Sequence, residues 1–235
     1  MSHVRWDAPG PYEVVFTTRV GGVSNGPYAS LNLGRKTGDD VERVDENRRR
    51  ACAEIGADAA RLALNYQVHS AVVHRARPGA RGDPGDGLWT DEPDLPILAM
   101  SADCLPIAVA RANGAAPAVA VVHVGWRGLL GGVVESAVAA LGSGELAAAI
   151  GPAIGPCCYE VRDDVAGPFR ARFGRGIVSH DRLDLWRAAE VTLREAGVVQ
   201  VERVDLCTSC HSDLFFSHRR DGKPRGVQGV LARVA

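Results

Sequence analysis

Residues 117–142, "PAVAVVHVGWRGLLGGVVESAVAALG", decide how this chain is to be read. The opening "PAVAVVHV" is a short, mostly apolar run, the pattern of a strand covered on both faces. The closing "LLGGVVESAVAALG" has helical spacing, weakened by Gly131 and Gly132 at about 1 kcal/mol each relative to Ala. A strand running into a helix is the unit of an α/β architecture. Between the two, "VVHVGWRG" (121–128) places His123, Trp126 and Arg127 where an apolar strand should be ending. Burial of the strand gives no reason for any of the three.

The alternation continues on both sides. Upstream, "YEVVFTTR" (12–19) is rich in β-branched and aromatic residues and reads as a strand, followed by a long loop, "VGGVSNGPYASLNLG". "DDVERVDENRRRACAEIG" (39–56) has an acidic start, helical apolar spacing and a closing Gly56. "RLALNYQVHSAVVHRA" (61–76) reads as one or two strands, "RPGARGDPGDG" (77–87) as a turn-rich surface loop, and "DLPILAMSAD" (94–103) as a covered strand. Downstream, "AAAIGPAIGPCCYEV" (147–161) is a strand broken by Gly-Pro pairs, and "LDLWRAAEVTLREAG" (183–197) a helix ending at Gly197. "VERVDL" and "GVQGVLARV" close as strands. With no linker, charge block or repeat, residues 1–235 read as a single α/β domain. The alternation is too irregular for a TIM barrel, and no G-x-G-x-x-G follows a strand.

Composition narrows the function. Hydrophobic residues make up 46% and charged residues 23%, with a formal net charge of −1, so no global field draws the protein to nucleic acid or a membrane surface. No run approaches the roughly 18 apolar residues of a membrane span, and the first residues lack a basic start followed by an apolar stretch. The expected compartment is the cytoplasm, where the six cysteines stay reduced and serve as core filler, ligand or nucleophile.

Two further segments pose the puzzle of "VVHVGWRG": "NYQVHS" (65–70) and "MSADCLPI" (100–107). Each brings a ligand-type residue to or near a strand end. His69, Cys104 and His123 form the natural trio for zinc, which in catalytic sites takes three protein ligands and keeps one position open. Taken singly, a strand-end histidine is a satisfied polar group, Cys104 a small buried hydrophobe and Asp103 a turn cap. Three such residues in three similar contexts favour one metal site, built by neighbouring strands of one sheet. Asp103 would then orient a ligand histidine or transfer a proton. Arg127, at the start of the next helix, would join the helix N–H groups in binding phosphate or carboxylate, and Trp126 would stack on a planar ligand or fill the core.

These segments, with "FTTRVGGVSNGPYASLNLG", "IGPAIGPCCYEV" and "FFSHRRDG", occur in the order found in the YfiH-type family, also called the laccase-domain or multicopper polyphenol oxidase family. The chain resembles that family over nearly its whole length. The resemblance implies an αββα-type sandwich with mixed sheets and one zinc held by His69, Cys104 and His123. Val124 stands where the usual motif has alanine. Family members look like purine nucleoside phosphorylases acting on adenosine, inosine and S-methyl-5′-thioadenosine, with adenosine deaminase activity. The laccase label implies copper and phenol oxidation, and a third family reading is hydrolytic editing of a cell-wall precursor.

The residues weigh these readings. Multicopper oxidation needs many histidines around several ions, whereas this chain has seven His and two Met, and His3, His74, His180, His211 and His218 are scattered. Zn2+ at one site is the expectation, with Cu2+ as a possible occupant. Phosphorolysis needs guanidinium groups for phosphate or substrate oxygens: Arg127 and the Arg219–Arg220 pair, the bland alternative for that pair being a solvated turn. Arg19, before Gly21–Gly22, is a candidate cleft residue. For deamination, zinc would activate the attacking water, with Asp103 moving the proton. The expected partners are purine nucleosides and phosphate. "CTSCH" (207–211) holds a lone C-x-x-C, a weak metal signal, and both Cys207–Cys210 and Cys157–Cys158 read as structural. The rival of a different class is a metal-independent hydrolase with Cys104 as nucleophile and His123 as base. A non-enzymatic zinc-holding scaffold would need a fourth ligand, which the sequence does not supply.

Overall fold

The computed structural model describes residues 3–113 and 116–235, and the statements below concern those residues. Two six-stranded mixed sheets dominate. The first runs in the order His3–Trp6, Tyr12–Thr17, Gln228–Val234, Ile97–Ser101, Ala63–Tyr66, Arg81–Pro84. The second runs Gln200–Arg203, Leu146–Ile150, Leu105–Arg111, Val119–Val124, Gly87–Thr90, Val73–Arg75. Period-two alternation divides each strand between two cores. Val14 and Phe16 face the inter-sheet core with Ala108, Ala110, Val121, Ala147 and Ala149 of the opposite sheet. Val15, Leu98 and Leu231 face outward with Ala51, Cys52 and Ile55 from helix Val41–Glu54. On the far side, Ile107, Val109, Val122 and Ala148 pack against helices Val133–Leu141, Asp163–Phe173 and Leu185–Glu195. The layers are α, β, β, α, as expected.

Small side chains let the sheets approach closely. The ring of Phe16 lies where a Cβ on Gly151 would be, 2.1 Å from that position. Helix Val41–Glu54 starts where the acidic pair suggests: Asp40 accepts hydrogen bonds from Glu42 N at 2.8 Å and Arg43 N at 3.4 Å.

Several expectations need correction. The run 129–142 is two helices, Trp126–Leu130 and Val133–Leu141, because Gly131 caps the first and Gly132 turns at φ +91°. The loop 77–87 contains strand Arg81–Pro84, which pairs in parallel with Ala63–Tyr66, and its end is buried. Residues 61–76 do hold two strands, within the expected one or two, but in different sheets, and a full strand that was not expected follows Cys104 at Leu105–Arg111. "SHRRDG" is a short helix, His218–Asp221, rather than a hairpin turn. Among the described residues no helix is long and apolar enough to cross a membrane.

Candidate metal centre

Two crossings between the sheets build the centre. The chain leaves the first sheet after Tyr66, passes through His69 and enters the second at Val73. It crosses again between Ser101 and Leu105, through Asp103 and Cys104. Both crossings are tight enough to put a non-glycine residue in the left-handed region: His69 at φ +62° and Asp103 at φ +94°. His123 comes from within strand Val119–Val124, whose register sets Pro106 opposite His123 and Leu105 opposite Val124. Cys104 and His123 thus meet across neighbouring strands, as expected. His69, however, arrives from the other sheet, so the one-sheet expectation holds for only two of the three.

The donor atoms of His69, Cys104 and His123 all lie within 4.8 Å of one another. Cys104 Sγ is 3.9 Å from His69 Nε2, and the two imidazoles meet edge to face with centroids 4.9 Å apart. His123 is buried, Cys104 half-buried and His69 exposed, so the cluster is open on one side. Gly125 permits the convergence: a Cβ there would sit 2.7 Å from His69 Cδ2 and 3.3 Å from Cys104 Sγ.

The carboxylate that organises the centre is Asp86, which sequence reasoning placed in a surface loop. Its side chain is fully buried. Val68, His69 and Ser70 donate their N–H groups to it at 3.2, 3.0 and 2.6 Å, and Ser70 Oγ donates at 2.8 Å. His123 Nδ1 donates to Asp86 Oδ1 at 2.8 Å. One carboxylate therefore fixes the His69 crossing in its left-handed turn and selects the His123 tautomer, leaving the lone pair of Nε2 available to ligate an ion. Burial opposes ionisation of Asp86, but these donors outweigh it and hold its carboxyl well below the usual range. The local signal was slight: an Asp between Gly85 and Gly87, directly before a strand.

The charges are coupled. Burial pushes the Cys104 thiol up, yet the charge and hydrogen bond of His123, with those of His69, bring it down to about 6. Burial pushes His123 down, and the Cys104 thiolate with Asp86 raises it to about 9. A thiolate and two imidazoles form a donor set that fits a borderline-soft divalent ion.

Asp103 is not the histidine's orienter. Thr208 Oγ1 donates to its Oδ1 at 2.6 Å and Arg219 N donates to its Oδ2 at 2.7 Å. Asp86 already occupies the orienting position. Arg127 is exposed, its guanidinium makes no hydrogen bond among the described residues, and it lies 4.0 Å over the Trp126 ring. Its helix has five residues, too short for the helix-terminus contribution expected from sequence, so anion binding there rests on the guanidinium. Arg219 donates to the carbonyls of Cys158 and Glu160 at 3.4 and 2.9 Å and lies 5.6 Å over the Tyr159 ring. Arg220 is fully engaged: its five donors go to Asp221, Thr208 O, Ser209 O and Phe215 O. With these bonds in place it offers no donor to phosphate, unlike Arg127. Arg19 is not brought to the trio. It donates to Ala29 O and Ser212 O and covers the Phe216 ring at 4.6 Å.

Two more residues escaped sequence reasoning. The Tyr159 phenol is pushed up to about 12, first by burial and then by the Cys104 charge, with Asp103, Arg127 and Arg219 also acting on it. Arg225 is half-buried, and its Nε is buried without a hydrogen-bond partner among the described residues. It feels the charges of Asp103, Asp221 and Cys104. A cleft of about 1020 Å³ opens alongside; Glu160, Arg162, His180 and Arg219 line part of it, and none of the three donor residues does. Arg219, whose backbone N–H donates to Asp103, links its wall to the Cys104 crossing.

The fold and the three-donor centre place the chain in a family. It belongs to the family described as multi-copper polyphenol oxidoreductase laccase, which matches residues 13–234. Among its relatives, the purine nucleoside phosphorylase YlmD of Geobacillus stearothermophilus is 37% identical, covering 92% of this chain and 86% of that protein. The purine nucleoside phosphorylase YfiH of Escherichia coli is 35% identical, covering 92% of each. A crystal structure from Neisseria meningitidis matches with a TM-score of 0.90 at 35% identity, over 100% of this chain and 99% of that one. The names of these relatives support an enzyme.

Proposed function

We propose that this protein is a metal-dependent purine nucleoside phosphorylase acting on inosine, adenosine and S-methyl-5′-thioadenosine, with deamination of adenosine as a second activity. One observation carries the reading: a three-donor centre with an open side lies beside arginines whose guanidiniums are not all committed, and the charges of both sets converge on Tyr159. The names borne by the relatives point the same way.

His69, Cys104 and His123 would hold the ion, and the donor set suits zinc better than a group of copper ions. When bound, such an ion supplies Lewis acidity to a substrate oxygen or nitrogen. The remaining work falls to the chain itself. Arg127, whose donors are free, binds phosphate and directs an oxygen at ribose C1′. Arg219 brings a second guanidinium to the anion site. As the C1′–N bond breaks, electrons pass to the purine, and Tyr159, neutral at physiological pH, donates a hydrogen bond toward the developing charge. Asp103 acts by positioning: it ties the Cys104 crossing to the Thr208 and Arg219 segments.

Purified protein of known zinc content, incubated with inosine with and without phosphate, tests the reaction. Release of hypoxanthine and ribose 1-phosphate only with phosphate is expected. Absence of both products from folded, zinc-loaded protein contradicts phosphorolysis of inosine.

A second reading has its own observation. Asp86, His123 and Cys104 are placed as an orienter, a base and a nucleophile, a triad that needs no metal. That reading leaves His69 without a role, although its Nε2 faces Cys104 Sγ.

A further inference from the structure

We propose that Cys157, Cys158, Cys207 and Cys210 form a second metal site, a tetrathiolate centre that holds zinc and clamps together the two loops beside the first centre. The four Sγ atoms all lie within 4.8 Å of one another. Cys210 Sγ is 3.6 Å from Cys157 Sγ and 3.4 Å from Cys158 Sγ. With a Zn–S bond of about 2.3 Å, tetrahedral geometry sets sulfurs about 3.8 Å apart, so the observed cluster needs little adjustment.

Core filling does not explain the group. Cys207 is buried and Cys158 half-buried, but Cys157 and Cys210 are exposed, where a hydrophobe has no reason to be. The backbone serves the sulfurs as well. Gly155 N–H donates to Cys207 Sγ at 3.3 Å, and Cys210 N–H also faces that sulfur. Such donors offset the negative charge that four thiolates bring to one ion. The two segments are held in register by Thr208 N donating to Ala153 O at 3.0 Å and Ala153 N to Leu206 O at 3.3 Å. A lone C-x-x-C is a weak signal; its partner pair is the adjacent Cys157–Cys158, some 50 residues upstream and invisible to spacing rules.

The location gives the site a purpose. Tyr159 follows Cys158 directly, and Thr208, which holds Asp103, follows Cys207. An ion here releases four thiol protons, changes no oxidation state and fixes both loops. The proposal is independent of the reaction assigned above.

Elemental analysis counts zinc in the full chain, purified under reductant without chelator, as wild type, Cys157→Ser/Cys210→Ser and His123→Ala. Two zinc ions per wild-type chain are expected, one for each donor group, with each variant losing one. X-ray absorption of the His123→Ala protein should then show sulfur ligands alone at about 2.3 Å. If the double cysteine variant fails to fold, the wild-type count and the His123→Ala spectrum decide. A single zinc per wild-type chain, bound by the His69 group, overturns the proposal. So does a disulfide joining the two segments in non-reduced mass spectrometry of protein handled under these conditions.

Discussion

Asp86 and Asp103 invite comparison. Both are buried aspartates at crossings between the two sheets, and each supports a left-handed residue: Asp86 the neighbouring His69, Asp103 itself. Asp86 gathers three backbone N–H groups, a hydroxyl and an imidazole, so two candidate ligands depend on it. Asp103 accepts from one hydroxyl and one N–H and ties the Cys104 crossing to the wall of the site. Adjacency in sequence to a candidate ligand is therefore a poor guide to which carboxylate orders the cluster. The governing one lies 37 residues from His123 in the chain and 2.8 Å from it in space.

The contrast is sharpest in substitution. Asp86→Ala leaves several buried donors unpaired, so unfolding free energy should drop by about 4 kcal/mol in urea titrations of the metal-free protein. Its zinc affinity should fall by at least about 10–100-fold, the usual effect of losing the partner of a ligand histidine. Asp103→Asn retains a residue that tolerates the left-handed turn and should cost about 1–2 kcal/mol, with a far smaller effect on zinc. Equal loss of zinc in the two variants would erase the distinction.

Acid should expose Asp86 next. Its folded-state pKa is depressed, so the stability it contributes is present above its ordinary value of 3.8 and is lost as pH falls below that value. Asp86→Asn should flatten this acid limb in metal-free unfolding curves. The metal centre titrates higher. Without metal, Cys104 near 6 and His123 near 9 leave a thiolate–imidazolium pair between those values. Zinc must displace the His123 proton there, so affinity should fall about tenfold per pH unit from 9 to 6 and more steeply below. Isothermal titration in buffers of different ionisation enthalpy checks the proton count.

A smaller effect separates free arginines from committed ones. Arg127→Ala should raise the phosphate KM about tenfold with little change in Tm, since Arg127 supports no backbone. Arg220→Ala should do the reverse, lowering Tm while phosphate KM stays near wild type, because its donors hold four groups of the protein itself.

Much of this was legible in the sequence. The strands at 12–17, 97–101 and 119–124 announce themselves by β-branched and apolar runs, and the helix at 41–54 by its apolar spacing and acidic start. The three donors stood out because each is a ligand-type residue at an apolar strand end. What escaped depends on tertiary contact. Asp86 has the local chemistry of a loop aspartate, and only the crossing of residues 68–70 above it makes it central. Helix Asp163–Phe173 is interrupted in pattern by Gly167 and Pro168 and is held by Phe169 in the core. Arg220 and Arg127 look alike in sequence; the count of satisfied donors separates them.

The most direct test of the metal account is His69→Ala, measured for zinc content and inosine phosphorolysis on the same preparation. Loss of zinc from the His69–Cys104–His123 centre together with activity is the predicted result. A folded His69→Ala protein that turns over at the wild-type rate without that zinc would contradict the account and leave Cys104, His123 and Asp86 to act as a triad.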